Sequence, residues 1–574
     1  MINVGISRGH NSSVALLEDG DIVFHIENER FSRIKYDQFP FTALFKIKDF
    51  TDYIDNLSIA GLNEVTPAGE YWTQHDIYTI FVLNLNKSFC RKGFGIQDLG
   101  LDHHKMHASC AFYNSGFKEA ICIVKDGAGS EYYFDDDNFC GREISSVFSC
   151  KYPADFEVIE KHVGFLLSLY IDANLTTQDL DRFSTEKVKI DDTISPAEVF
   201  EFTSENFGFH PLDAGKIMGM ATYGKEDSSL PLIYKDGKIN KNLFIYINPE
   251  KPDLNLDHQS LTWREPTTDF QDKANFAFAL QKVSQENVKK YIYDIIDKTK
   301  CKNICLSGGF FLNCVANYEY LDGLPEDVNL YIDPISSDAG TSIGAAKFIW
   351  HSNHGDTTIR KQNTIYYGPE PDYNNVKNKL NKNESISKVN YKDVISLILK
   401  RNPVALYQGR SEAGPRALGN RSILYDPRDK DGKDVVNRIK KREWFRPFAG
   451  TVLHERANEW FDMRGLEESP YMLYALNVRK EKINEIPAIT HVDDTCRVQT
   501  LKQSQNLHFY NLIKLFYEQT GVPILFNTSF NLAGDPIVET LDDALYALRN
   551  SNLDYLYLPE IKSMIHASKE NKFE

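Results

Sequence analysis

The chain has 574 residues and carries 65 Lys and Arg against 81 Asp and Glu, a formal net charge of −16. That length exceeds one ordinary core, so two or more domains are expected, of the usual globular composition. The acidic balance argues against broad affinity for duplex nucleic acid. Met1–Asn3 shows no secretory leader and no apolar run is long enough for a bilayer, so a cytoplasmic protein without a membrane partner is expected.

From the N-terminus, Ile2–Ile6, Val14–Leu17 and Asp21–Ile26 read as short strands, with Glu18-Asp19-Gly20 as a hairpin turn. The turn Ser7–Ser13 is rich in small residues, which lets backbone N–H groups converge as in phosphate loops, and it carries His10. Taken alone, His10 is equally a histidine that merely hydrogen-bonds in the turn. The charges of Glu27–Arg33 either brace the hairpin or line a site. His103 and His107 are four apart, so a helix puts both imidazoles on one face, a spacing that suits a divalent metal with further ligands. Ala120–Lys125 reads as a buried strand ending in Asp126-Gly127-Ala128-Gly129, either a ligand loop or a plain hairpin turn.

The small residues around Lys216, in Asp213–Ala221, suggest close helix packing or a ligand-lining helix. Asp269–Lys300 has long helical periodicity. The nine cysteines form no CxxC pair, and Cys301 and Cys305 open a buried strand, so free thiols in a reducing compartment are expected. That strand runs into Ser307-Gly308-Gly309 and on to Asn313, a nucleotide-cradling pattern that is common on its own. Strand Asn329–Asp333 leads to Asp338 and a small-residue helix. His351–Gln362 is polar and aperiodic, and marks a domain junction.

Beyond it, Gly409–Phe448 holds eleven basic and six acidic residues, a local +5 in an acidic chain. The alternating charges of Asp429–Lys441 fit a solvated helix face. Arg416, Arg421 and Arg446 do not, because Gly, Pro and aromatic neighbours hold them; such guanidinium forks suit phosphate or carboxylate oxygens. Strand Pro523–Phe526 precedes Asn527-Thr528-Ser529, and a last helix is capped by Thr540.

The segments ISRGHNSSVALLEDG, ENERFSR, HHKMHAS, VKDGAGS, GKIMGMATYG, LSGGFFLNCVAN and DAGTSIGAA occur in this order from Ile6 to Ala346. With GRSEAGPRALGNRSIL and KKREWFRPFAG after them, nearly the whole chain resembles the O-carbamoyltransferases, which carbamoylate antibiotics and nodulation factors. The resemblance implies an α/β protein in two domains. Residues 1–355 would form a duplicated actin-like (ASKHA) nucleotide-binding domain, similar to the catalytic subunit of the tRNA threonylcarbamoyl-transfer machinery. Residues 356–574 would form a YrdC-like α/β domain that makes carbamoyladenylate from carbamoyl phosphate and ATP. An acceptor hydroxyl, on an antibiotic, a sugar or a hydroxymethylated nucleotide, then takes the carbamoyl group.

The same resemblance implies roles for individual residues. Lys440, Arg446, Arg416 and Arg497 would bind carbamoyl phosphate and the adenylate with Asn527 and Ser529, and Lys440 and Arg446 would also act in catalysis. Gly127, Lys216, Gly308, Gly309, Asn313 and Asp338 would contact nucleotide, with Mg²⁺ accompanying ATP. His103, His107, Asp126 and Asp338 would hold one divalent metal, Fe²⁺ with Zn²⁺ or Mn²⁺ as alternatives. His10 would be the general base. No stable nucleic-acid partner is implied, and a homodimer is left open. The chain departs from the family pattern at Asn11, Tyr36 and Gly450, where Asp, His and Pro are usual. The alternatives are a tRNA threonylcarbamoyl-type transferase, a sugar-kinase-like phosphotransferase, which would leave the basic stretch unexplained, and a non-catalytic nucleotide-binding module.

Overall fold

The structure is a computed structural model that describes residues 1–61, 77–88, 95–134, 139–165, 185–190, 195–230, 232–235, 238–239 and 269–568. The chain forms two compact units. One comprises Met1–His25 and Gln38–Gln362, the other Ile26–Asp37 and Asn363–Glu574.

The first unit uses one sheet connectivity twice. In the first sheet the order is Asp21–Glu27, Ser13–Glu18, Ile2–Arg8, Asn56–Gly61, Gly95–Asp98. In the second it is Asp155–Phe165, Phe139–Lys151, Glu119–Lys125, Asn303–Ser307, Asn329–Ile332, with Val188–Ile190 and Glu131–Phe134 added at the side. In each, the central strand pairs antiparallel with its hairpin partner and parallel with the strand on its other side. The apolar runs predicted for these strands are buried on both faces, as covered parallel sheets require. This is the duplicated α/β fold expected from the sequence.

After its last strand each sheet feeds a helix, His103–Ser115 in the first half and Ala339–His354 in the second. The second helix is rich in small residues, and the reason is its closeness to its neighbours. A Cβ on Gly344 would lie 2.0 Å from the Met106 carbonyl oxygen, and one on Gly5 would lie 1.9 Å from that of Ser342. Hydroxyls stitch the same crossing: Ser109 donates to the Gly344 carbonyl at 2.9 Å, and Ser13 to the Ala339 carbonyl at 2.8 Å. The 30-residue helix Phe270–Thr299 matches the predicted periodicity, and Asp269 caps it by accepting from the Gln271 and Asp272 amides.

The second unit is built on a nine-stranded mixed sheet. Its centre runs Val404–Tyr407, Arg421–Tyr425, Ile524–Ser529, Ala449–Leu453, Thr495–Leu501. Helix Leu541–Arg549 buries Leu541, Ala544, Leu545 and Leu548 in its core, and Thr540 closes a capping box with Asp543. Asn527 and Ser529, expected after a strand, lie within strand Ile524–Ser529, which Ser529 ends.

The segment Ile26–Asp37 belongs to this unit although the chain makes it first. Buried Arg30 donates to the carbonyls of Gly414 at 2.9 Å and Glu412 at 3.4 Å. Arg33 donates to the carbonyls of Pro536 and Ile537, each at 2.7 Å. Glu412 in turn accepts with one oxygen from the amides of Leu418, Asn420 and Arg421, at 2.7, 2.8 and 3.3 Å. Arg30 and Glu412 therefore fix the loop that carries Arg416 from both ends. Arg30→Ala should speed hydrogen exchange at the Leu418, Asn420 and Arg421 amides by about tenfold to a hundredfold, the value of one charged hydrogen bond. Unchanged protection at these amides, read by hydrogen–deuterium exchange, contradicts the assignment.

Candidate functional site

The duplicated connectivity brings the chemistry-bearing loops of the first unit together. His103 and His107 lie in the first two turns of helix His103–Ser115, Asp126 follows strand Glu119–Lys125, and Asp338 precedes helix Ala339–His354. All four are buried, and one ligand atom from each lies within 4.8 Å of all the others. The Nε2 atoms of the two histidines are 3.2 Å apart. Asp126 Oδ2 is 3.1 Å from His103 and 3.5 Å from His107, and Asp338 Oδ1 is 3.6 Å and 3.5 Å from them.

These separations match a cation site. Ligand atoms about 2.0–2.1 Å from a tetrahedral ion are about 3.3–3.4 Å apart. Burial alone would lower the His103 pKa, but Asp338 and Asp126 outweigh it and push it up to about 10. Burial would raise the Asp126 carboxyl, and the two histidines instead hold it well below the usual range. Each group is thus poised to share a positive charge. Two imidazoles with two carboxylates suit Fe²⁺, Zn²⁺ or Mn²⁺.

His10 stands at the edge of this cluster, with a side chain one-third exposed. Its Nε2 faces Asp338 Oδ2 at 3.4 Å, and its Nδ1 pairs with Asn11 Oδ1 at 2.8 Å. Asn11 thus orients the ring. The glycines crowd the Asp126 strand end. The Gly309 amide donates to Asp126 Oδ1 at 2.9 Å, and Gly308 has φ +98° with Lys125 O only 2.2 Å from where a Cβ would sit. A Cβ on Gly127 would lie 2.9 Å from Glu201, a carboxylate that no sequence motif singled out. Burial raises the Glu201 pKa to about 8, against the pull of His10.

Two expected nucleotide contacts have local partners. Lys216 pairs with Asp213 at 2.9 Å. Asn313 caps helix Cys314–Glu319 through the Ala316 amide and pairs with Gln281.

In the second unit, helix Gly432–Lys440 ends at buried Lys440, whose Nζ donates to the Ser529 carbonyl, to Ser529 Oγ at 3.0 Å and to Asn531 Oδ1 at 2.8 Å. Burial and the guanidinium charges of Arg442 and Arg446 lower its pKa well below the ordinary value. Burial, Arg446 and Arg497 do the same to Arg442, which stacks on Phe448 at 4.5 Å. Like charges held this close ask for an anion. Against them stands Glu443, 3.4 Å from Arg446. Arg442 belongs to the basic stretch, and no sequence motif singles it out. It also lines a cleft of about 420 Å³ with Asp434, Asn437, Arg438, Lys441 and exposed Trp444. Asn527 is fully buried, and its amide donates to Thr451 Oγ1 at 3.0 Å and to the Ala417 carbonyl at 3.3 Å, which ties it to the Arg416 loop. Arg416 is half-buried in that loop. Arg497, Ala449 and Asn527 share one row of the sheet.

The chain thus contains a duplicated α/β unit with a four-donor cluster and an α/β unit with a cluster of cationic side chains. The carbamoyltransferase N-terminus family model matches residues 41–347 and the carbamoyltransferase C-terminus model matches residues 395–564. The chain belongs to the carbamoyltransferase family and is a transferase. It is 31% identical to an uncharacterized protein of Methanocaldococcus jannaschii, over 97% of this chain and 98% of the other. It is 28% identical to nodulation protein NolNO of Sinorhizobium fredii, over 95% and 78%. A crystal structure of HypF from T. kodakarensis overlaps 62% of this chain and 48% of its own, with a TM-score of 0.37 and 13% identity. Among the described residues no helix is long and apolar enough to cross a membrane.

The four-donor geometry carries a direct test. The purified chain should retain about one divalent ion per molecule by elemental analysis, as a closed four-ligand set does. His107→Ala should lose it, and equal metal content in the two proteins would remove the site.

Proposed function

We propose that the chain is an ATP-dependent O-carbamoyltransferase that works in two steps. The observation that carries the reading is the cationic group Lys440, Arg442, Arg446 and Arg497: burial and the neighbouring guanidinium charges lower the pKa of Lys440 and of Arg442, and Glu443 lies 3.4 Å from Arg446. Such a group favours a small, doubly charged substrate such as carbamoyl phosphate. There carbamoyl phosphate is hydrolysed to carbamate and phosphate. A carbamate oxygen attacks the α-phosphorus of ATP, pyrophosphate leaves, and carbamoyladenylate remains. Lys440, Arg446, Arg416 and Arg497 offset the charge that develops on the phosphates, Ser529 positions Lys440, and Asn527 braces the Arg416 loop.

The adenylate is consumed at the first unit. His103, His107, Asp126 and Asp338 would hold the divalent metal, which supplies positive charge for the nucleotide phosphate when bound. Gly127, Gly308 and Gly309 pack the backbone closely around Asp126, and their amides would face the nucleotide phosphate. His10 takes the proton of the acceptor hydroxyl, and Asn11 holds the ring in place. The acceptor oxygen bonds to the carbamoyl carbon, the bond from that carbon to the AMP phosphate oxygen breaks, and AMP leaves. The acceptor is an alcohol of the antibiotic, sugar or hydroxymethylated-nucleotide kind.

The nucleotide products discriminate among the readings. ATP should yield AMP and pyrophosphate only when carbamoyl phosphate is present. ADP as the sole nucleotide product would falsify the reading and favour a kinase.

The two steps should also separate by mutation. Arg446→Ala should slow pyrophosphate release by about tenfold to a hundredfold, the value of a charged hydrogen bond. His10→Ala should keep first-turnover pyrophosphate release but lower carbamoylated product by about 10²–10⁴-fold. Synthetic carbamoyladenylate should rescue Arg446→Ala and not His10→Ala. Equal failure of both folded variants on added adenylate means a single shared site.

A further inference from the structure

Helix His103–Ser115 carries both histidines in its first two turns, so the placement of its N-terminus decides where they point. The residue at its N-cap, Asp102, makes no capping hydrogen bond. The first amides of a helix have no partner within it and need one from elsewhere. Here the partners come from the hairpin of the second half of the unit. The His103 amide donates to Ser130 Oγ at 3.1 Å, and the His104 amide donates to Glu143 Oε2 at 3.4 Å. Ser130 Oγ donates in turn to the Gly100 carbonyl at 3.2 Å, just ahead of the helix.

Glu143 is built for this task and has no role in the mechanism above. It is completely buried, and Oε2 also accepts from the Ser130 amide at 3.1 Å. Its other oxygen is paired with Lys161 on the neighbouring strand. The register of strands Phe139–Lys151 and Asp155–Phe165 shifts between Glu143 and Ser145. An extra residue of this sort re-aims the side chains beside it. Gly129 makes room, since a Cβ there would lie 2.7 Å from both Glu143 Oε2 and the His104 ring. His104 is itself held by Ser146 Oγ, 2.8 Å from its Nδ1, and so faces away from the cluster that its two neighbours enter. A buried carboxylate at a helix N-terminus is further favoured by the helix dipole.

We propose that Glu143, supported by Lys161 and Ser130, is a positioning residue for the metal histidines. It locks the first turn of their helix to the same hairpin that presents Asp126. Glu143 is neither a ligand nor a catalytic residue. It sets the distance between two ligands on one half of the fold and one on the other. The inference rests on the metal reading of His103, His107, Asp126 and Asp338.

The test is Co²⁺ affinity and the visible ligand-field spectrum of the full chain, with no turnover required. Supporting groups behind metal ligands are typically worth about 10–100-fold in affinity. Glu143→Ala should weaken Co²⁺ binding by about that factor and alter the band positions. Glu143→Gln/Lys161→Met keeps an acceptor oxygen, removes both charges, and should return most of the affinity and the wild-type spectrum. If Glu143→Ala does not fold, Ser130→Ala carries the test, because it removes the acceptor for the His103 amide and the donor to the Gly100 carbonyl while leaving the Glu143–Lys161 pair; it too should weaken binding and shift the bands. Wild-type affinity and spectrum in a folded Glu143→Ala or Ser130→Ala protein overturn the proposal while leaving the metal site in place. No Co²⁺ uptake by the wild-type chain, or uptake unaffected by His107→Ala, overturns the metal reading and this inference with it.

Discussion

Two imidazole nitrogens 3.2 Å apart, enclosed by two buried carboxylates, are the constraint on which the first unit is built. Burying four ionisable groups together is costly unless their charges are matched and their geometry is held. The fold meets that cost by using one connectivity twice. Each half delivers a strand end and a helix start to the same place, so no single loop has to fold around the cluster unaided. The small-residue crossing at Gly344 and Met106 then fixes the helix of one half against that of the other.

The second unit solves the opposite problem. Its cationic cluster gathers charges of one sign, and burial with the neighbouring guanidinium groups lowers the proton affinity of Lys440 and of Arg442. The structure tolerates this because each cation also has a structural partner. Lys440 reaches Ser529 and Asn531, Arg442 lies on Phe448, and Arg446 is near Glu443. Repulsion among like charges is what an anion relieves, and this is the physical basis of the proposed carbamoyl phosphate site.

Much of this was legible in the sequence. Strand runs, the long helix at Asp269–Lys300, the Thr540 cap and the shared face of His103 and His107 all follow from local periodicity and turn chemistry. Local patterns do not reveal partners that are far apart in the chain. Glu143 caps a helix 39 residues before it, from a position set by a register shift. Glu201 lies beside Gly127 with no motif around it. Asn527 reads as a loop donor because a strand end and a loop start share a composition, yet it lies inside strand Ile524–Ser529 and is wholly buried. The reading that kept residues 1–355 together also left Ile26–Asp37 in the first domain, because nothing in those twelve residues announces the distant carbonyls they bond.

That segment has a consequence for how the protein is made. Arg30 leaves the ribosome 384 residues before the Gly414 carbonyl it bonds. Contacts of such long range form late, since the closure entropy must be met before the bond rewards it. The second unit therefore cannot be completed while the chain is being synthesised in order. Until then, a buried arginine and its neighbours wait in water, attached to a first unit whose strands are already available to pair. A gene cut between Gln362 and Asn363 would likewise not yield two whole proteins, because the fragment beginning at Asn363 lacks a piece of its own interior. Neither unit is therefore one continuous stretch of the gene, and each must be made from the same reading frame as the other.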